Sequence, residues 1–118
     1  ELGVRLLVTG NLPQGSPAET LCAQAARECV TNCVRHAKGT EVRVDIRSCG
    51  TGCTVTVTNN GAKPTGPIVE GSGLSSLRRS VESSGGEMQL FWEPAFALVM
   101  TLPGKEQEDE DQDPAGRG

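Results

Sequence analysis

The chain has 118 residues, one domain's length, with 36% apolar residues but only 3% aromatic ones, so its core must be aliphatic, built from Val, Leu, Ala and Cys. No apolar run approaches the roughly 18 residues of a membrane span and no secretory signal opens the chain; it starts at Glu1 rather than Met, as expected of a fragment or a processed product. The net charge of −4 belongs to residues 105–118, which hold six acids and two bases, whereas residues 1–104 carry nine of each and present no basic nucleic-acid surface.

The predicted elements follow in chain order. Val4–Thr9 is a short β-type run ended by Gly10-Asn11, and residues 13–17 form a loop with two prolines. Ser16 suits a helix N-cap, Pro17 its first turn and Glu19 the third position of a capping box. The helix is predicted to reach Ala37 and stop at Gly39. Glu41–Arg47 alternates, with Val42, Val44 and Ile46 on one side, and Val55 and Val57 resume the pattern, giving a β-hairpin in which Cys49 and Cys53 face each other across Gly50-Thr51-Gly52. Residues 59–71, with three glycines and two prolines, read as a loop; Gly73–Ser84 returns to helical spacing through Leu74, Leu77 and Val81 and ends at Gly85-Gly86. Met88–Phe91 and Phe96–Leu102 are the last two strands. Beyond residue 104 the run Glu108-Asp109-Glu110-Asp111 repels itself and buries nothing, so 105–118 is expected to be a disordered acidic tail to a domain of residues 1–104.

This order predicts an α/β two-layer sandwich: a mixed, mostly antiparallel sheet with helices on one face. Five cysteines, an odd number with no secretory signal, point to reduced thiols in a cytosolic setting. Cys22, Cys29 and Cys33 share the apolar arc of the long helix with Ala26, Val30 and Ala37 and read as small buried hydrophobes. A zinc site from Cys29-x3-Cys33 with Cys49-x3-Cys53 is the sharper alternative, and its spacing departs from the usual two-residue knuckle.

Another arc of that helix gathers Glu28, Asn32, Arg35 and His36 within about two turns. One carboxylate, one amide, one guanidinium and one imidazole suit a metal-bound phosphate, with oxygens for the ion and cationic or N–H donors for phosphate. A solvated helix face is the blander reading, and His36 alone would serve as a cation near the helix C-terminus. Downstream, a predicted strand ends in Asn59-Asn60-Gly61, a common turn pair, and Gly71-Ser72-Gly73-Leu74 opens the second helix. Glycines there let backbone N–H groups approach phosphate, although the same pattern marks ordinary loop-to-helix junctions.

Glu28-Cys-Val-Thr-Asn32-Cys-Val-Arg35-His36-Ala37 resembles the N-box of sensor histidine kinases in the GHKL ATPase superfamily, in the branch whose response regulators carry a helix-turn-helix output domain. Val55-Thr-Val-Thr-Asn59-Asn60-Gly61 is similar to the family's first glycine box. Gly71-Ser-Gly73-Leu74-Ser-Ser-Leu77-Arg78-Arg79, with Gly85-Gly86, is similar to its second. Three boxes in order, over about residues 2–103, make the match specific.

The resemblance implies a GHKL fold that binds ATP and Mg2+. Asn32 would coordinate the magnesium, Glu28 would act on it through water, and Arg35 and His36 would reach the phosphates. Asn59 would hydrogen-bond the adenine amino group, Gly61 would admit the base, residues 62–70 would form a lid, and Gly71, Gly73 and Leu74 its phosphate-side hinge. Thr101 would support the adenine-binding residue through water. Asn59 stands where the family usually has Asp and Lys63 where it has Gly, the lid is short, and the usual Gly-Thr entry to the last strand is absent around Pro94–Phe96. An amide oxygen still accepts a hydrogen bond without charge assistance, which predicts weaker but surviving adenine recognition.

The implied activity is histidine protein kinase. The phosphoacceptor histidine would lie on a dimerisation domain of the same full-length protein, because the only histidine in this chain is His36, inside the N-box. Little turnover is therefore expected from the fragment alone. The implied partners are that domain and a response regulator, with no direct nucleic acid contact. The full-length protein would be a bacterial homodimer, cytoplasmic in this part and joined to the membrane only through other segments. Two alternatives remain: a degenerate interaction domain that has lost ATP, and a serine kinase of the anti-sigma type.

Overall fold

A computed structural model describes residues 4–11, 17–50 and 52–103. Five strands, β1 (Arg5–Thr9), β2 (Glu41–Cys49), β3 (Gly52–Asn59), β4 (Glu87–Phe91) and β5 (Ala97–Leu102), form one sheet in the order β1-β2-β3-β5-β4. β1 runs parallel to β2 and the other pairings are antiparallel, so the sheet is mixed and mostly antiparallel as predicted. Helix α1 (Pro17–Asn32) makes the crossover between the parallel strands, and α2 (Ser72–Ser83) links β3 to β4. Ser16, the predicted N-cap, and the acidic segment 105–118 lie outside the described residues.

Alternation along the strands decides which face the helices cover. Val42, Val44 and Ile46 of β2 lie beside Val57 and Val55 of β3, and with Leu98, Met100 and Leu102 of β5 they form a buried aliphatic layer. Leu21, Cys22, Ala25, Cys29 and Cys33 of α1 and Leu74, Leu77 and Val81 of α2 close that layer from above. Their neighbours in sequence, such as Arg43, Thr56 and Gln89, face the open side of the sheet. The buried stripe of α1 is centred on Ala25, not Ala26, which with Val30 is only half-buried. Small side chains flank both positions, so periodicity alone places that centre loosely.

One correction concerns the hairpin. The hairpin register pairs Ser48 with Cys53 and Cys49 with Gly52, so the two cysteines do not face each other. The connection is one residue shorter than Gly50-Thr51-Gly52 implied, with Gly50 at a positive φ of 62° starting it. The long helix ends after Ala37 as predicted, with Lys38 as its left-handed C-cap residue (φ 54°). Gly39 is needed for space: a Cβ there would collide with the Asn60 backbone and side chain and with the Cys33 sulfur.

Candidate functional site

The axis of α1 continues past Asn32 into one turn of π-helix, Cys33–Ala37. This turn builds one wall of the site. On an unbroken α-helix His36 would stand 18 residues, or five whole turns, after Ala18, and Ala18 is buried in the core. A π turn rotates the chain less per residue, so Ala37 drops into the core while Arg35 and His36 stay exposed. His36 thereby joins Glu28, Asn32 and Arg35 on the wall of a single cavity of about 740 Å³. That volume is ample for a nucleotide-sized ligand.

A second wall comes from the end of β3. Asn59 lines the cavity, whereas Asn60 turns away and ties the chain down: its N–H donates to the Glu41 carbonyl at 3.1 Å, and its Oδ1 accepts from the N–H groups of Thr40 (2.8 Å) and Glu41 (3.0 Å). Gly61 adopts φ 104° and packs so tightly on the helix end that a Cβ would strike the Ala37 carbonyl. It does not line the cavity itself; it lets the chain pass beneath the π turn and fixes where Asn59 sits. The Ala62 N–H then donates to that same carbonyl at 2.9 Å.

The third wall is the 62–71 loop and the start of α2. Gly71 is the N-cap residue and offers no side-chain cap, so the first N–H groups of α2 remain available beside a cavity that Gly71, Gly73 and Leu74 line. The Glu28 carboxylate lies directly against Gly73, where any Cβ would clash with it. Lys63 adds a cation and Ile68 an apolar contact to the loop side. The far end of the loop is clamped. Glu70 accepts from Arg78 Nε at 3.0 Å and Nη2 at 2.6 Å, while Arg78 Nη1 donates to the Met88 carbonyl at 2.7 Å. Both side chains are about three-quarters to two-thirds shielded from solvent, and the Glu70 hydrogen bonds push the Arg78 guanidinium above its ordinary pKa.

Comparison with known proteins accords with this arrangement. The family model described as histidine kinase-, DNA gyrase B-, and HSP90-like ATPase matches residues 18–116. The chain belongs to this ATPase family. It is 28% identical over 87 residues to the sensor histidine kinase DesK of Bacillus subtilis (strain 168), a match over 72% of this chain and 24% of that protein. The chain thus spans about a quarter of that relative's length. Among solved structures, the ATP binding domain of PrrB from Mycobacterium tuberculosis aligns over 87% of this chain and 82% of its own, with a TM-score of 0.64 and 23% identity. A histidine kinase domain of a blue-light activated kinase from Erythrobacter litoralis covers 96% of this chain and 57% of its own, with a TM-score of 0.68 and 18% identity. These likenesses show that the sheet and its two helices have the histidine kinase ATPase fold.

Within this ATPase domain, Glu28, Asn32, Arg35, His36, Asn59, Gly71, Gly73 and Leu74 come together in one place, with Gly61 supporting them. Thr101 does not join them. It pairs with Thr54, five residues along β3 from Asn59, a separation of about 17 Å, and its side chain is exposed. The residue beside Asn59 is Phe96: the last β3–β5 pair is Thr58–Ala97, and one step further stand Asn59 and Phe96. Phe96 lines the cavity and packs on the core. Only the strand register could have revealed it. Cys22, Cys29, Cys33 and Cys53 are buried and do not line the cavity, and burial pushes Cys29 up to about 12, with nearby Glu28 and Cys33 adding to the shift. Among the described residues no three His, Cys, Asp or Glu side chains gather as a metal cage, and none of the helices is long and apolar enough to cross a membrane.

Proposed function

We propose that this domain binds ATP with Mg2+ in the 740 Å³ cavity and, in the full-length protein, delivers the γ-phosphate to a histidine on a dimerisation domain, for onward transfer to a response regulator. The observation that carries this reading is the convergence, on one cavity, of the polar face of α1, the uncapped start of α2 and Asn59 at the end of β3. Each supplies what one part of a nucleotide needs.

Phosphoryl transfer asks mainly for positioning and charge stabilisation. The α2 N–H groups and the helix dipole favour phosphate oxygens, and Arg35 and His36 offer further donors. Glu28 and Asn32, one turn apart on the same wall, form a sparse oxygen donor set that fits a hard cation keeping most of its water and phosphate ligands. When bound, that ion neutralises phosphate charge. Asn59 would read the base and Ile68, Leu74 and Phe96 would cover it. With His36 inside the nucleotide wall and no other histidine in the chain, the acceptor must come from elsewhere in the protein, which in its full-length form would be homodimeric with this domain in the cytosol.

Calorimetric titration of residues 1–118 with a non-hydrolysable ATP analogue tests the reading. Binding should tighten at least tenfold on adding Mg2+, and Asn32→Ala should remove most of that gain. Failure to bind at millimolar nucleotide would favour the second reading, a degenerate interaction domain, for which the uncharged Asn59 at the base-reading position is the relevant observation.

A further inference from the structure

We infer that this domain separates adenine from guanine nucleotides only weakly, because the group that reads the base is an amide that, among the described residues, one side-chain hydrogen bond holds in place. The inference rests on the ATP-site reading above and concerns the selectivity of that same site. Asn59 pairs with Val42 at the end of β3 and lines the same cavity as the apolar Ala62, Ile68, Leu74 and Phe96, side chains suited to covering a flat heteroaromatic ring. Its Nδ2 donates to the Asn60 carbonyl at 2.7 Å. That leaves Oδ1 as the acceptor the side chain can offer a ligand.

The Asn60 carbonyl is a fixed reference. Asn60 is bound to β2 and its lead-in by four hydrogen bonds: its N–H to the Glu41 carbonyl, two N–H groups to its Oδ1, and its Nδ2 to Thr40 Oγ1 at 3.2 Å. The orientation of Asn59 is therefore set by one neutral bond to an immobile partner. An adenine amino group meets Oδ1 as it stands. A guanine presents a carbonyl oxygen at that corner, and the amide can meet it by turning over, so that Nδ2 faces the base. The turn breaks the bond to Asn60 and leaves Oδ1 and the carbonyl of the exposed Asn60 to water. The loss is one neutral hydrogen bond, worth about tenfold in affinity. A carboxylate has no such option, since both its oxygens accept whichever way it turns.

The test compares non-hydrolysable ATP and GTP analogues, each with Mg2+, by calorimetry on the wild-type chain, Asn59→Asp and Asn59→Ala, with circular dichroism confirming that each variant is folded. Wild type should prefer the adenine analogue by about tenfold. Asn59→Asp should widen the preference beyond about a hundredfold, and Asn59→Ala should shrink it to within about threefold of parity. Wild-type discrimination above a hundredfold, or a preference that Asn59→Ala leaves intact, would overturn this inference while leaving the ATP site standing. Binding of neither analogue by the wild type would overturn both.

Discussion

Gly73 and Glu28 compete for the same space. The Glu28 carboxylate rests against the Gly73 backbone at the first turn of α2, where the helix dipole favours a negative charge. Alanine is the better helix former by roughly 0.5–1 kcal/mol, and the obstacle it would meet is the end of a flexible side chain. Gly73→Ala should therefore keep or slightly raise the thermal midpoint while weakening Mg-ATP binding by about tenfold or more, since it displaces Glu28 and crowds the N–H groups of α2. Thermal denaturation and calorimetry on one preparation check both signs; a variant that binds normally would mean that neither Glu28 nor close backbone approach matters. Single residues differ in how visible they are before folding. Glu28 and Asn32 are legible from a four-residue helical spacing. His36 falls at the core-side edge of that polar arc on an ideal helix, so spacing alone places it loosely, and the π turn is what carries it clear of the core onto the cavity wall. Phe96 becomes a neighbour of Asn59 only through β3–β5 register.

At the level of elements, the loop over the cavity is held at one end by Gly61 beneath the π turn and at the other by the Glu70–Arg78 pair. Arg78 does two jobs, since it also reaches the Met88 carbonyl on β4. Removing it leaves a carboxylate about three-quarters shielded from solvent and a strand carbonyl without their donor. Arg78→Ala should cost about 1–3 kcal/mol in urea denaturation. It should also raise hydrogen exchange of residues 62–71 well beyond that of the β2–β3 hairpin, whereas Glu70→Gln, which keeps an acceptor, should do less of both. Uniform acceleration across the sheet would show that the pair supports the whole domain and not the loop. The elements themselves were largely readable: alternation marked β2 and β3, and Leu74, Leu77 and Val81 marked α2. Pairing order was less so. Short apolar β1 carries no sign that it joins β2 in parallel, and the one-residue change of register at Cys49 depends on how tightly Gly50 turns.

For the whole molecule, the uneven distribution of charge along the sequence is the governing feature. The net charge of −4 resides in residues 105–118, and residues 1–104 balance. β5 meets Cys53 at Leu102, six residues along β3 from Asn59, so the acidic segment follows a strand end about 20 Å from Asn59. The Debye length is about 8 Å at physiological ionic strength and about 30 Å at 0.01 M salt. Repulsion between the acidic segment and an anionic nucleotide should therefore vanish at the first condition and persist at the second. Residues 1–104 should bind Mg-ATP with the affinity of the full chain, to within about a factor of two, at 0.15 M salt, and several-fold more tightly than the full chain at 0.01 M. Equal affinities at both salt concentrations would mean that the acidic residues stay further from the cavity than their attachment point requires. A loss of affinity on truncation at 0.15 M would mean that residues 105–118 contribute contacts to the domain, making them part of the site's support and not a separate source of charge.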